Sequence, residues 1–120
     1  MIGWLKAELR RIGNTTKWSW EGWCAAWVRE KSLRQWAVVN VISAGAAFAV
    51  EMTPGERALI LALGLLLLAA ELMNTAIEEV VDYISEEIDP RAKRAKDAGS
   101  AVVAVTAIAG GVAWLVILIG

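Results

Sequence analysis

Residues 58–70 (ALILALGLLLLAA) are apolar or glycine without a break, and the next twelve, ELMNTAIEEVVD, are not. An uninterrupted run of this kind reads as a helix that meets lipid, and with its flanks it is long enough to cross a hydrocarbon core about 30 Å thick. The polar residues that follow are ordered. At about 100° per residue, Glu71, Asn74, Glu78 and Asp82 fall on one face about 80° wide. Carboxylates at the edge of a membrane span are costly unless they hold a cation, a proton or a partner. The stripe is therefore the first place to look for chemistry.

Two further apolar stretches flank this helix, giving expected spans at about 34–50, 56–84 and 96–119, the first near the lower length limit for crossing. The chain has 120 residues and is 58% hydrophobic, more apolar side chain than a soluble core of that size absorbs. The basic residues are asymmetric. Lys6, Arg10, Arg11, Lys17, Arg29, Lys31 and Arg34 precede or open the first span, and Arg91, Lys93, Arg94 and Lys96 lie between the second and third. Only Arg57 lies in the turn between the first two. Three spans put eleven of the twelve cations on one side, which makes the N-terminus cytoplasmic and the C-terminus external by the positive-inside rule. The single cysteine, Cys24, excludes an internal disulfide, and the absence of histidine removes imidazole catalysis and the usual zinc sets. No cleavable signal peptide is expected.

Residues 3–30 read as a helix lying on the membrane. Trp20, Trp23 and Trp27 recur at i, i+3 and i+7, Leu5, Leu9 and Ile12 precede them, and cations fill other faces; such helices bind anionic leaflets through their rings and charges. The run NTT at 14–16 is a candidate break or second start. In the first span Asn40 reads as an interhelical hydrogen-bonding group. In the turn EMTPGER, Thr53 is the expected N-cap, with Pro54 at the first helical position and Glu56 at the third. Asp89-Pro90 reads as a helix stop and restart. The third span is rich in small residues, among them Gly99, Ser100, Gly110 and Gly111, which permit close helix approach. Trp114 marks its outer interface.

Depth gives the stripe its meaning. Counting from residue 58 at the outer edge, Glu71 lies about 20 Å deeper and Glu78 about 30 Å deeper. Glu71 is then below the inner surface, Glu78 at it, and Asp82, Glu86 and Glu87 in water. One stripe links the headgroup level to the cytosol. Glu71 suits a general base. Glu78 suits a hard cation, with Glu30 able to supply a second carboxylate. Lys96 and Asp97 enter at the same level, and a lysine beside a metal ion is what an anionic polyphosphate needs. Taken singly, each has an ordinary explanation. Glu71 and Asn74 can be glue between helices, Glu78, Glu79 and Asp82 a solvated helix end, and RAKRAK a topology signal. Their combination points to a site. Neither a P-loop nor a GxGxxG pattern is present.

The segments ELMNTAIEEVVD (71–82) and AKDAGSAVV (95–103) closely resemble the signature of the small prokaryotic diacylglycerol kinases, and WSWEGWCAAWVREKSLRQ (18–35) is similar to their N-terminal amphipathic region. KDAGSA looks more like the Gram-negative branch than the undecaprenol kinase branch. The resemblance implies an all-α integral membrane protein of one domain, residues 1–120, with an amphipathic surface helix and three transmembrane helices, assembling as an inner-membrane homotrimer. It implies transfer of the γ-phosphoryl group of ATP, with Mg2+, to diacylglycerol, giving phosphatidic acid, and no nucleic-acid partner. Glu71 matches the general base and Asn74 a required polar residue. Glu30 and Glu78 match the metal-binding carboxylates. Arg11, Trp18, Glu87, Asp89, Lys96 and Asp97 match nucleotide contacts. The lipid-facing set includes Arg11, Ser19, Trp20, Ala26, Trp27, Arg34, Gln35, Ser100 and Trp114. Trp18 stands where tyrosine is usual, Asp89 where histidine is, Trp36 where glutamate is, and Cys24 where a basic residue is common. Undecaprenol kinase is the alternative within the class, and a small proton or cation channel or an inert anchoring subunit the alternatives outside it.

Overall fold

A computed structural model describes all 120 residues. It is entirely helical: α1 (Ile2–Arg29), α2 (Lys31–Ala49), α3 (Pro54–Ile84) and α4 (Pro90–Ile119). The molecule measures 51 × 49 × 24 Å. Helices of about 30 residues are about 45 Å long, so two long dimensions mean that α1 runs across the bundle of the other three rather than along it. Helices α3 and α4 form the most extensively packed pair, α2 packs on α3, and α1 touches α2 and α3 only lightly.

The element boundaries have local causes. Glu30 breaks the chain between α1 and α2 with extended backbone (φ −105°, ψ 106°), and the Arg34 guanidinium closes the corner by donating to the carbonyls of Trp27 and Val28 at the end of α1. Helix α3 starts with the expected reciprocal cap. The Thr53 hydroxyl accepts from the Glu56 amide at 3.2 Å, and the Glu56 carboxylate accepts from the Thr53 amide at 3.0 Å, which satisfies two otherwise orphaned donors. Arg57 donates to the Ala47 carbonyl at 2.8 Å and lies 5.2 Å over the Phe48 ring, tying the end of α2 to the start of α3. Asp89 caps α4 by accepting from the Arg91 amide at 2.8 Å, with Pro90 next.

Two expectations are corrected. The NTT run neither breaks nor caps anything, because Thr15 and Thr16 donate to the carbonyls of Arg11 and Ile12 one turn back, which keeps hydroxyls inside a helix without competing for its amides. Asn40 does meet α3, but opposite Gly64, and its Nδ2 is buried without an acceptor.

Only ten residues are buried, eight of them in the hydrophobic core. Ala47, Ile60 and Ala113 form one cluster near the α2–α3 turn, and Leu67, Ala70 and Val103 another deeper along α3. Large apolar side chains such as Val41, Ile42, Phe48, Leu65, Val105 and Ile108 face outward, as surfaces that meet lipid or other helices do. Helices α3 and α4 are long and apolar enough to cross a membrane. The 19-residue α2 is about 28 Å long and carries Lys31 and Arg34 in its first turn.

Candidate functional site

Helix α3 runs unbroken from its cap to Ile84, so the stripe Glu71, Asn74, Glu78 and Asp82 stays on one face. That face meets α2 at its inner end and α4 along its length. Glu71 is the one buried charged residue, 5% exposed. The Ser32 hydroxyl and Trp36 indole of α2 lie beside its carboxylate, and Glu30 and Glu78 are within electrostatic reach. The carboxylate is thus shielded from solvent beside a hydroxyl and an indole. Sequence reasoning did not identify Ser32. Its spacing of four from Trp36 on α2 was the available signal, since such pairs share a helix face.

One turn further, the Asn74 amide donates to the Glu78 carboxylate at 3.4 Å. The Asn74 Oδ1 is buried with no donor and sits against Gly99 of α4, where a Cβ would lie 2.5 Å from it. Glycine at 99 thus lets α4 pass the polar stripe closely. Above Glu78, the Lys96 ammonium of α4 binds the Asp82 carboxylate at 2.6 Å. Asp82, Glu87, Asp89, Lys93, Lys96 and Asp97 share a cleft of about 230 Å³ at the Ile84–Pro90 end of the bundle. Lys93 pairs with Asp97, and Arg91 with Asp89. The Arg91 guanidinium and amide hold the Asp89 carboxyl below the usual aspartate range.

A second groove, about 560 Å³, lies between α1 and α3 and gathers Ser19, Ala26, Arg29, Glu30, Thr75 and Glu79. A third, about 550 Å³ and almost wholly apolar, separates α2 from α4 and runs from Trp36 to Trp114. The structure does not bring every candidate together. Arg11 pairs with Glu8 on its own helix. Trp18 and Trp20 are exposed, and Trp27 stacks on Trp23 with centroids 5.8 Å apart. Gln35 and Ser100 are exposed. Trp114 donates to Ser43 at 2.8 Å, fifteen residues along α4 from Gly99 and thus about 22 Å from the level of Asn74.

For a metal the donor set is all oxygen. No three metal-ligating side chains converge. Magnesium rarely uses such a cage, and it is held by one or two carboxylates, waters and substrate phosphates. Glu78 and Glu30, both within electrostatic reach of Glu71, fit that habit.

A family model described as prokaryotic diacylglycerol kinase matches residues 17–118. The chain belongs to this family. It is 46% identical over 114 residues to a diacylglycerol kinase of Pseudomonas aeruginosa, covering 93% of this chain and 91% of that one. It is 34% identical over 108 residues to a diacylglycerol kinase of Escherichia coli K12 (90% and 88% covered), and 36% over 106 residues to one of Haemophilus influenzae (88% and 90%). The buried glutamate, the ladder above it and the α3–α4 cleft all lie within the stretch shared with the diacylglycerol kinase family, whereas Arg11 lies before it.

Proposed function

We propose that this protein phosphorylates membrane diacylglycerol with ATP, giving phosphatidic acid at the cytoplasmic face of the bacterial inner membrane. The observation that carries the reading is the position of Glu71. It is buried on a membrane-length helix, at the foot of a ladder that climbs through Asn74 and Glu78 to a cleft holding Lys96. A lipid hydroxyl at headgroup depth and a soluble triphosphate can meet only where such a ladder joins the two phases.

Glu71 accepts the proton of the lipid hydroxyl as its oxygen bonds to the γ-phosphorus, and the bond from that phosphorus to the bridging oxygen of ADP breaks. Ser32 and Trp36 orient the carboxylate. Asn74 aligns Glu78 through its amide. Glu78 and Glu30 hold magnesium, which when bound neutralises phosphate charge. Lys96 contacts the phosphates, with Glu87, Asp89, Asp97, Trp18 and Arg11 around the nucleotide. Positioning and charge neutralisation carry most of the acceleration in phosphoryl transfer, so little else is required of the protein. The acyl region meets Ser19, Trp20, Ala26, Trp27, Arg34, Gln35, Ser100 and Trp114. Three crossings, N-terminus inside and C-terminus outside, follow from the distribution of basic residues. A homotrimer with shared sites covers the outward apolar faces of α2, α3 and α4 and supplies Arg11 and Trp18 from a neighbour.

The test compares diacylglycerol and undecaprenol as acceptors of labelled phosphate from ATP in mixed micelles, with and without magnesium. Magnesium-dependent labelling of diacylglycerol is expected. Preference for undecaprenol would transfer the reading to the polyprenol kinases, and cation flux into liposomes without ATP would replace it with a channel.

A further inference from the structure

Two cation–acid pairs line the α3–α4 cleft and a third, Arg91–Asp89, reaches it through Asp89 alone; they differ in kind. Arg91–Asp89 closes a helix cap and Lys93–Asp97 spans one turn of α4. Lys96–Asp82 joins two helices, at 2.6 Å with both partners about half exposed. Asp82 lies four residues after Glu78 on the same face, and Glu78 is within electrostatic reach of the Lys96 ammonium. Glu78 itself has only one partner, the Asn74 amide at 3.4 Å. A lysine on a flexible stem, deprived of Asp82, finds Glu78 as the next carboxylate down the stripe.

We propose that Asp82 is a positioning residue, which parks the Lys96 ammonium one turn above Glu78 and so keeps the Glu78 carboxylate free for a divalent cation. This rests on the reading of Glu78 as a cation ligand. The ladder is thereby divided: the upper carboxylate balances the lysine and the lower one takes the metal. When a polyphosphate enters the cleft, Lys96 leaves a half-exposed partner, a weak interaction that is easily exchanged. A lysine parked on Glu78 would instead compete with the metal for one carboxylate.

The experiment measures Mn2+ binding to the detergent-solubilised full chain by electron paramagnetic resonance without nucleotide, and the Mg2+ concentration for half-maximal turnover at saturating ATP. Asp82→Asn is expected to weaken Mn2+ binding about five-fold, the range of a half-exposed ion pair, and to raise the Mg2+ requirement in step. Asp82→Glu is expected to restore both. The decisive comparison is a double-mutant cycle. If Asp82 acts through the lysine, Asp82→Asn changes Mn2+ affinity little in a Lys96→Met background. An equal loss in both backgrounds would mean that Asp82 merely adds negative charge, and unchanged affinity in Asp82→Asn would mean that it does neither; each overturns the proposal alone. Wild-type Mn2+ affinity in Glu78→Gln would overturn the cation reading of Glu78 as well.

Discussion

Two glutamates on one helix face are proposed to do different work because their surroundings differ. Glu71 is buried beside Ser32 and Trp36, whereas Glu78 is only partly covered and has a free edge. Glu71→Gln keeps the shape and removes the proton acceptor. Turnover is expected to fall at least about 100-fold, the scale of a lost general base, while nucleotide binding in a magnesium buffer stays near wild type. Glu78→Gln is expected to weaken magnesium-dependent nucleotide binding instead. Near-normal turnover in Glu71→Gln would refute the assignment of the base. Gly99 belongs to the same scale. A Cβ there meets the Asn74 oxygen at 2.5 Å and Ile77 at 3.3 Å, so Gly99→Ala is expected to cost about 1–3 kcal/mol of overpacking and to displace Asn74 from Glu78. Thermal unfolding in micelles and turnover are expected to fall together.

At the scale of elements, the helices α3 and α4 are set by their first turns. The reciprocal Thr53–Glu56 cap begins α3 and the Asp89–Pro90 cap begins α4. Thr53→Ala is expected to destabilise the protein by about 1 kcal/mol, read as a lowered unfolding midpoint without change in magnesium response. Asp89 adds a pH dependence with a definite sign. Its carboxyl is held below the usual range by Arg91. The folded state therefore gains from ionised Asp89 at and above the ordinary aspartate range. That gain is lost as the pH falls through the depressed folded value. Hydrogen exchange in the first turn of α4 is expected to speed up on acidification relative to the first turn of α3, and Asp89→Ala to abolish the difference. Among the third-span glycines expected to permit close helix approach, Gly99 meets a neighbouring helix. Gly110 and Gly111 face the α2–α4 cavity, where a Cβ would meet nothing within 4 Å.

The whole molecule is thin, 24 Å in its least dimension, with ten buried residues. A protomer built this way is completed by its surroundings. A mass of three protomers in detergent, by light scattering corrected for bound detergent, is the expected outcome, and a monodisperse monomer with full activity would remove the shared site. Orientation is tested separately. A cysteine placed at Lys93 in a Cys24→Ser background is expected to react with an impermeant maleimide only in inside-out vesicles, and one placed at Glu51 only in right-side-out ones.

Much of this was legible in the chain because helical order is local. Periodicity alone aligns Glu71, Asn74, Glu78 and Asp82, and the capping residues mark where α3 and α4 begin. Those features depend on spacing within one helix, and folding reproduced them. What the tertiary structure decided lies between helices: Ser32 and Trp36 beside Glu71, Gly99 under Asn74, Lys96 on Asp82, and Asn40 facing a glycine without an acceptor. Such pairings depend on the axial offset and rotation of one helix against its neighbour, which side-chain packing selects and no single-helix pattern contains.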